Sequence, residues 1–407
     1  MSPLRLLAAI FFALAVQSPR AVGASATPVP LLGMTVERVV LLYRHGLRAP
    51  LNDEIGARAY ARQPWPKWST PPSLVTPHGV QAMRQLGRYD RAWLASIGLL
   101  SAAGCPSAHQ LSIWTNTEAR TISSGHDLAE GLAPGCKLAV EHLPAGQPDP
   151  LFDAGAAVPE FDAAKAVRII NAETGGPAAI IATHRAAIRT LEDILGCRTP
   201  GATSCDIAAV PSFLTASADG RNLKLRGPIM ITSGTASVFL LEYAEGMPMD
   251  QVGWGRATPA RLAEVSRLHA LLFDVFDRST VMAHRTAAAM GPKIASLLDN
   301  GPPVALLVGH DNNIAALTSL LGVHVHIPGY GLDDPPLGGA LGFMVLREAR
   351  SNVRYVRVFY QAQSLDQLRA LTPLTLDRPP AMQILTPRCA IGPDRLCSSA
   401  DVAALLH

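Results

Sequence analysis

The sequence predicts an α/β fold, in which a mixed sheet is flanked by helices and a mainly α-helical domain is inserted. Several apolar, β-branched runs are followed by helical patterns, which is typical of buried parallel strands. Two later runs form a hairpin pattern, so the sheet should be mixed. The middle of the chain is rich in alanine and mainly helical, without strand–helix alternation. We therefore expect an α/β catalytic domain from residues 27–154 and 291–407, with a helical domain, 155–290, inserted between them.

The N-terminus resembles a secretory signal. Arg5 is followed by an apolar run of 11 residues, Leu6–Val16, and Ala24-Ser25-Ala26 forms a small-x-small cleavage site. The run is shorter than the ~20 residues that span a bilayer. We expect 1–26 to be a signal peptide and the rest to be periplasmic or secreted, with a retained anchor as the alternative.

The first elements of the expected catalytic domain are a strand and a helix. Val36–Tyr43 is a short β-branched run that leads into a polar turn, as a buried parallel strand does. A helix should begin at Pro77, with Met83, Leu86 and Leu94 on its apolar side.

The next elements repeat this order. Leu111–Trp114 predicts a second strand, followed by a helix that ends at Leu132 and has Gly135 as its expected C-cap. After the middle section the strand pattern resumes. The remaining predictions are a strand, a helix and a closing hairpin, at 304–308, 313–321, and 342–347 with 353–360.

Two of these strands end in histidine-containing turns, and ligands bind beyond the carboxyl ends of strands in open α/β sheets. The first turn reads Arg-His-Gly-Leu-Arg-Ala-Pro at 44–50. Arginine forks suit phosphate oxygens, and Gly46 would let a bound group approach the backbone. An imidazole among arginines resists protonation, so His45 could attack phosphorus under acidic conditions.

The second turn is Gly309-His310-Asp311. Asp311 could protonate a leaving oxygen, and His310 could donate to phosphate. A third cation, Arg120, stands at the start of the second helix, a position that favours anions. Each piece alone is a weak signal, because such residues are more often structural or solvated.

Together these pieces resemble the histidine acid phosphatase family, branch 2 of the histidine phosphatase superfamily, and most strongly its bacterial periplasmic phytases and glucose-1-phosphatases. The central motif is Arg-His-Gly-x-Arg-x-Pro with a distant His-Asp. Further matching segments extend the resemblance over nearly the whole mature chain, at 75–79, 118–125, 131–136, 253–256 and 335–339.

The resemblance implies a role for each residue of the site. His45 would be the nucleophile that becomes phosphohistidine, and Asp311 the proton donor. The phosphate cradle would consist of Arg44, Arg48, Arg120 and His310. The resemblance also implies a phosphoglycerate mutase-like α/β domain with a cleft beside the helical domain, no cofactor and no metal.

The chain departs from the family pattern at several positions. Leu51-Asn52 replaces a Thr-Lys pair, so a lysine for additional phosphates is missing. An acidic residue expected in the helical domain is absent, and Ser237 stands there. Asn116 replaces an aspartate, and Asn312 follows His-Asp. Asn52, Arg285 and Asn312 remain candidates for substrate contact.

All six cysteines lie after the signal peptide, at 105, 136, 197, 205, 389 and 397. An even number in an exported chain favours disulfides, of which six cysteines allow fifteen pairings. Zinc is less favoured, since no Cys-x-x-Cys occurs. Close spacing suggests Cys197 with Cys205 and Cys389 with Cys397, and the resemblance supports these pairs together with Cys105–Cys136.

Composition limits the other function classes. The chain is 48% apolar and has a net charge of +3, which excludes disorder and gives no indication of a nucleic-acid partner. We expect a small phosphomonoester as the partner and no membrane association after the signal peptide is cleaved. Nothing in the sequence indicates the oligomeric state. Two alternatives remain: a non-catalytic exported phosphate- or polyanion-binding protein, and a zinc site at His324-Val325-His326, near which no acidic residue is expected.

Overall fold

The computed structural model describes residues 31–55, 57, 60–198 and 205–407. The expected signal peptide, 1–26, lies outside them. The described strands are β1 Met34–Arg44, β2 Leu111–Thr115, β3 Phe213–Ala216, β4 Leu223–Arg226, β5 Val304–Gly309, β6 Ala340–Glu348, β7 Arg354–Ala362, β8 Ala381–Ile384 and β9 Leu396–Ser398. The described α-helices are α1 Pro77–Ser96, α2 Ala119–Leu132, α3 Ala154–Ala157, α4 Ala163–Thr174, α5 Gly176–Thr183, α6 Arg185–Leu195, α7 Pro228–Ala244, α8 Pro259–Phe276, α9 Thr280–Thr286, α10 Met290–Asn300, α11 Asp311–Leu321, α12 Leu365–Arg369 and α13 Ser399–Leu406.

The predicted mixed sheet is confirmed. Its strand order is β2-β5-β1-β6-β7-β8, and β9 also pairs with β7. Strands β2, β5 and β1 are parallel, whereas β6, β7 and β8 continue the sheet in antiparallel pairs. The parallel half therefore has three neighbouring carboxyl ends at one edge, where a site is expected.

Helices α1 and α2 follow the first two strands closely. Helix α1 begins at Pro77 as predicted, since the Thr76 hydroxyl accepts a hydrogen bond from the Gly79 amide at 3.0 Å. The prediction for the end of α2 was wrong in one detail. The C-cap is Ala133, and Gly135 adopts its positive φ of 74° two residues later, in the turn beyond the cap.

The middle section consists of α4–α9 and the β3–β4 hairpin. Alternate residues of β1 point to opposite sides of the sheet, and both sides are covered. Leu42 belongs to a core that it shares with Ile170 and Leu268 of the middle section. Leu41 belongs to a second core, against α1 and α2. The helical section thus covers one face of the sheet through a continuous apolar core.

Three disulfides cross-link the described part of the chain. They join Cys105 to Cys136, Cys197 to Cys205 and Cys389 to Cys397, which are the expected pairs. Within the described ranges, no helix has the length and apolarity needed to cross a membrane.

Candidate active site

The carboxyl ends of β1 and β5 bring the two predicted turns together. Arg44 is directly opposite Gly309 in the parallel register, and the His45 amide donates to the Gly309 carbonyl at 2.9 Å. The imidazoles of His45 and His310 consequently lie edge to face, with ring centroids 5.6 Å apart. Residues separated by most of the chain therefore share one site.

His45 is held in a defined tautomer. Its Nδ1 lies 2.9 Å from the Gly46 carbonyl oxygen. Because a carbonyl only accepts hydrogen bonds, Nδ1 must carry the proton, and Nε2 keeps its lone pair. The ring is 2% exposed. Burial, followed by the charges of Arg48, Arg120 and Arg44, places the pKa of His45 well below its ordinary value. The imidazole is therefore neutral in acid, as the sequence predicts.

Gly46 lies where the turn after β1 packs against α1 and α2. Its amide donates to the Ser124 hydroxyl at 2.9 Å. A Cβ at this position would lie only 2.7 Å from Met83 Cγ. The absence of a side chain therefore lets the turn lie against α1, and the expected approach of a bound group to this backbone stays a prediction.

Arg44 joins the two turns. One Nη donates to the Pro335 carbonyl at 2.6 Å, and the other lies 2.7 Å from an Asp311 carboxylate oxygen. The guanidinium is 3% exposed and its Nε has no partner among the described atoms. A buried donor without a partner is unfavourable, so this nitrogen could bind an incoming anion.

Arg48 and Arg120 each contact a carboxylate as well. Both Nη atoms of Arg48 reach Glu54, at 2.8 and 2.5 Å. Burial opposes the charge of Glu54, but the hydrogen bonds and charge of Arg48 outweigh it and lower the pKa of the carboxyl. Arg120 lies 3.1 Å from Glu118 and donates to the Ser73 hydroxyl at 3.0 Å.

Asp311 is the first residue of α11, two residues before the predicted start of that helix. The helix begins earlier because the Asn313 side chain accepts a hydrogen bond from the His310 amide at 3.0 Å. Burial opposes the charge of Asp311, but Arg44 outweighs it and holds the pKa of this carboxyl well below its usual range. Burial and Arg120 lower the pKa of His310 to about 3.

The structure does not bring every candidate residue to this centre. The described contacts of Arg285 are with Phe161, whose ring centroid is 3.8 Å from Cζ, and with the Arg221 carbonyl. Asn52 is exposed in the turn after the motif, and Ser237 is buried in α7. Asn312 lies next to Asp311 in this centre, and its backbone N–H donates a hydrogen bond to the Asp311 carboxylate at 2.9 Å.

Sequence reasoning missed Glu54 and His269. Glu54 lies in an Asp-Glu pair just after the motif, which was the available signal. His269 on α8 is an isolated histidine without such a signal. Its Nδ1 lies 2.7 Å from an Asp334 carboxylate oxygen. A positive charge on His269 contributes to lowering the pKa of both Asp311 and Glu54.

The expectation that no acidic residue lies near the alternative zinc site at His324 and His326 is wrong. An acidic residue does lie beside it, since His324 Nδ1 is 2.6 Å from an Asp333 carboxylate oxygen. Arg278 lies 3.4 Å from the other oxygen of the same carboxylate, so Asp333 already has a cationic partner. Over the described part of the chain, no three potential metal-binding side chains form a cluster.

Comparisons with known proteins agree with this geometry. Residues 35–183 match the model of the histidine phosphatase superfamily, branch 2. The phytase AppA of Escherichia coli is 33% identical over 378 residues, which cover 87% of this chain and 86% of that protein. The glucose-1-phosphatase of Salmonella typhimurium is 28% identical over 384 residues, with 92% and 91% covered. The structure of Hafnia alvei phytase with tartrate superposes with a TM-score of 0.85 at 29% identity, covering 92% of this chain and 96% of that one. The chain belongs to branch 2 of the histidine phosphatase superfamily.

Proposed function

We propose that the protein is an acid phosphatase that hydrolyses phosphomonoesters through a phosphohistidine intermediate on His45. The observation that carries the proposal is a neutral imidazole with a free Nε2, buried among Arg44, Arg48 and Arg120. Family membership supports the reaction class. The relatives include enzymes named phytase and glucose-1-phosphatase, so the two alternative substrate classes that we propose are inositol phosphates or sugar phosphates.

In the first step, the His45 Nε2 lone pair forms a bond to phosphorus while the phosphorus–oxygen bond to the alcohol breaks. The electron pair of that bond leaves with the alcohol oxygen, which takes a proton from Asp311. The arginines bind the remaining phosphoryl oxygens and stabilise their charge in the transition state. The Gly46 carbonyl keeps Nδ1 protonated throughout and orients the ring.

Asp311 needs a proton before it can act as an acid. In the free protein Arg44 keeps this carboxyl ionised. A bound phosphate brings negative charge to the same arginine, and a nearby negative charge favours the protonated carboxyl. Substrate binding and protonation of Asp311 are therefore coupled.

In the second step, a water oxygen attacks phosphorus and Asp311 takes the water proton. The phosphorus–nitrogen bond breaks, and its electron pair returns to Nε2. His45 is then neutral again and phosphate leaves. Asp311 is protonated after this step, as it is when substrate is bound, and it releases the proton to solvent once phosphate has left and Arg44 again favours the carboxylate.

The setting of this reaction is also proposed. We infer export to the periplasm or outside the cell, with 1–26 as a cleaved signal peptide, and the three disulfides support an oxidising compartment. We further propose that 155–290 is an inserted domain and that 27–154 with 291–407 form the catalytic domain.

The test is phosphate release from p-nitrophenyl phosphate by the purified protein at pH 4–6. Turnover without added metal is the expected result. Binding of phosphate without turnover would reject the enzyme and favour the alternative of a phosphate-binding protein.

A further inference from the structure

We propose that Glu54 is a specificity-determining residue, which makes the site selective for phosphomonoesters with an uncharged alcohol part, such as sugar phosphates. A substrate with several phosphates would be disfavoured. This inference rests on the proposed phosphatase function and concerns which substrates that same site accepts.

The positive charges of the three cradle arginines are balanced by negative charges beside them. Each of its guanidiniums has its own carboxylate within ion-pair distance. The pairs are Arg44–Asp311 at 2.7 Å, Arg48–Glu54 at 2.5 Å and Arg120–Glu118 at 3.1 Å. His269, whose charge also acts on Asp311 and Glu54, is paired with Asp334 at 2.7 Å. One incoming phosphate can engage the arginines, but little excess positive charge remains for further phosphates.

Glu54 lies inside the cradle, where its side chain is 12% exposed. Its negative charge raises the pKa of Arg120 against the larger effect of burial, and the same carboxylate pairs with Arg48. The carboxylate also accepts a hydrogen bond from the Leu51 amide at 2.7 Å. It is therefore a fixed negative charge within the cradle rather than a mobile side chain on the rim.

The segment that carries Glu54 is held in place by a backbone contact with α7. A Cβ on Gly234 of α7 would lie 2.3 Å from the Glu54 carbonyl oxygen. The backbone of Glu54 thus lies directly against α7 of the helical section, so Glu54 cannot move outward here unless α7 moves as well. The adjoining residues 51–54 contain two acids and no base, so this side of the site repels additional phosphates.

The experiment compares glucose 1-phosphate with inositol hexakisphosphate, using p-nitrophenyl phosphate as a reference ester. The quantity measured is the ratio of kcat/KM for the two substrates at pH 5. We expect the natural protein to favour glucose 1-phosphate. E54Q, which keeps the side-chain shape and one acceptor for Arg48, should shift the ratio toward the hexakisphosphate by about three- to tenfold, as loss of one nearby charge predicts.

E130Q is the matched control, because Glu130 is exposed on α2, about 18 Å along the helix from Glu118. Its ratio should equal that of the natural protein. A second readout needs no variant. Added salt screens charge, so 0.5 M NaCl should move the natural protein's ratio toward the hexakisphosphate and reduce the effect of E54Q.

Three results would contradict the inference alone while p-nitrophenyl phosphate is still hydrolysed. They are a preference of the natural protein for the hexakisphosphate, an unchanged ratio in active E54Q, and a ratio that salt does not alter. Failure to hydrolyse any of the three esters would instead reject the proposed function, and the inference with it.

Discussion

At the scale of single residues, the hydrogen bond from His45 Nδ1 to the Gly46 carbonyl decides which nitrogen can act. The distance of 2.9 Å fixes the proton on Nδ1. Burial, together with the charges of the surrounding arginines, keeps Nε2 unprotonated. Hydrogen bonding alone would orient the ring, and charge alone would lower its pKa. Both are needed for a nucleophile that works in acid.

His45→Ala should therefore abolish turnover, because it removes the Nε2 that forms the bond to phosphorus in the proposed first step. The natural protein, quenched during turnover, should carry an acid-labile phosphoryl group that the variant lacks. Rapid quench with radiolabelled substrate measures this adduct. Retention of the adduct in H45A would show that another residue is the nucleophile.

Asp311→Asn removes the proton donor but keeps the side-chain shape. We expect turnover to slow by about 10²–10⁴-fold, which is usual for the loss of a general acid. Alcohols with a high pKa need the proton most, so the loss should be larger for alkyl esters than for p-nitrophenyl phosphate. A series of leaving groups provides the measurement. Equal losses across the series would exclude Asp311 as the donor.

The identity of these residues could be predicted from the sequence, but their ion pairs could not. The motif at 44–50 and the His-Asp pair carry a family pattern. The pairing of Arg44 with Asp311 depends on how the turns after β1 and β5 meet, and the pairing of Arg48 with Glu54 depends on how the chain folds back just after the motif. Such contacts leave no periodicity in the sequence.

At the scale of elements, helices α1 and α2 pack through glycines. A Cβ on Gly87 would lie 2.2 Å from the Leu128 carbonyl, and one on Gly131 would lie 2.2 Å from the Arg84 carbonyl. The two backbones are thus in direct contact where the helices cross. The sequence predicted where α1 begins because capping is local, whereas it gave no sign of this close crossing.

Gly87→Ala should destabilise the protein by at least about 2 kcal/mol, because the new methyl group must push α1 and α2 apart. Gly155→Ala is the control, since a Cβ at this helical position meets nothing within 4 Å. Unfolding free energies from urea titration measure both changes. Equal stability of the two variants would mean that the helices separate at little cost.

At the scale of the whole molecule, the sheet order was beyond the reach of the sequence. The hydrophobic runs predicted the strands, but β1 lies between β5 and β6, which follow it by more than 250 residues. Many orders would bury the same runs equally well. What selects this one is the joint fit of both apolar cores, and that fit is not encoded in any single segment.

The large apolar core also buries acidic groups. Glu242 of α7 is 0% exposed, and one carboxylate oxygen accepts a hydrogen bond from the Gly253 amide at 2.9 Å. Burial raises the pKa of this carboxyl to about 8, against the effect of that hydrogen bond. The folded protein therefore keeps a proton on Glu242 at pH values where the unfolded chain has lost it.

This proton makes the contribution of Glu242 to stability depend on pH. Below about pH 4.5 both states are protonated and the contribution is complete. As the pH rises toward about 8, the unfolded chain binds fewer protons than the folded protein, and stability falls.

Glu242→Gln replaces the carboxyl group with an amide that cannot ionise. The free energy of unfolding of the natural protein minus that of E242Q should therefore decrease by up to about 4 kcal/mol over this pH interval. Urea titrations at pH 4.5, 6 and 8.5 measure the difference, and E130Q should run parallel to the natural protein. Parallel profiles for E242Q as well would show that Glu242 is already ionised in the folded protein at acidic pH.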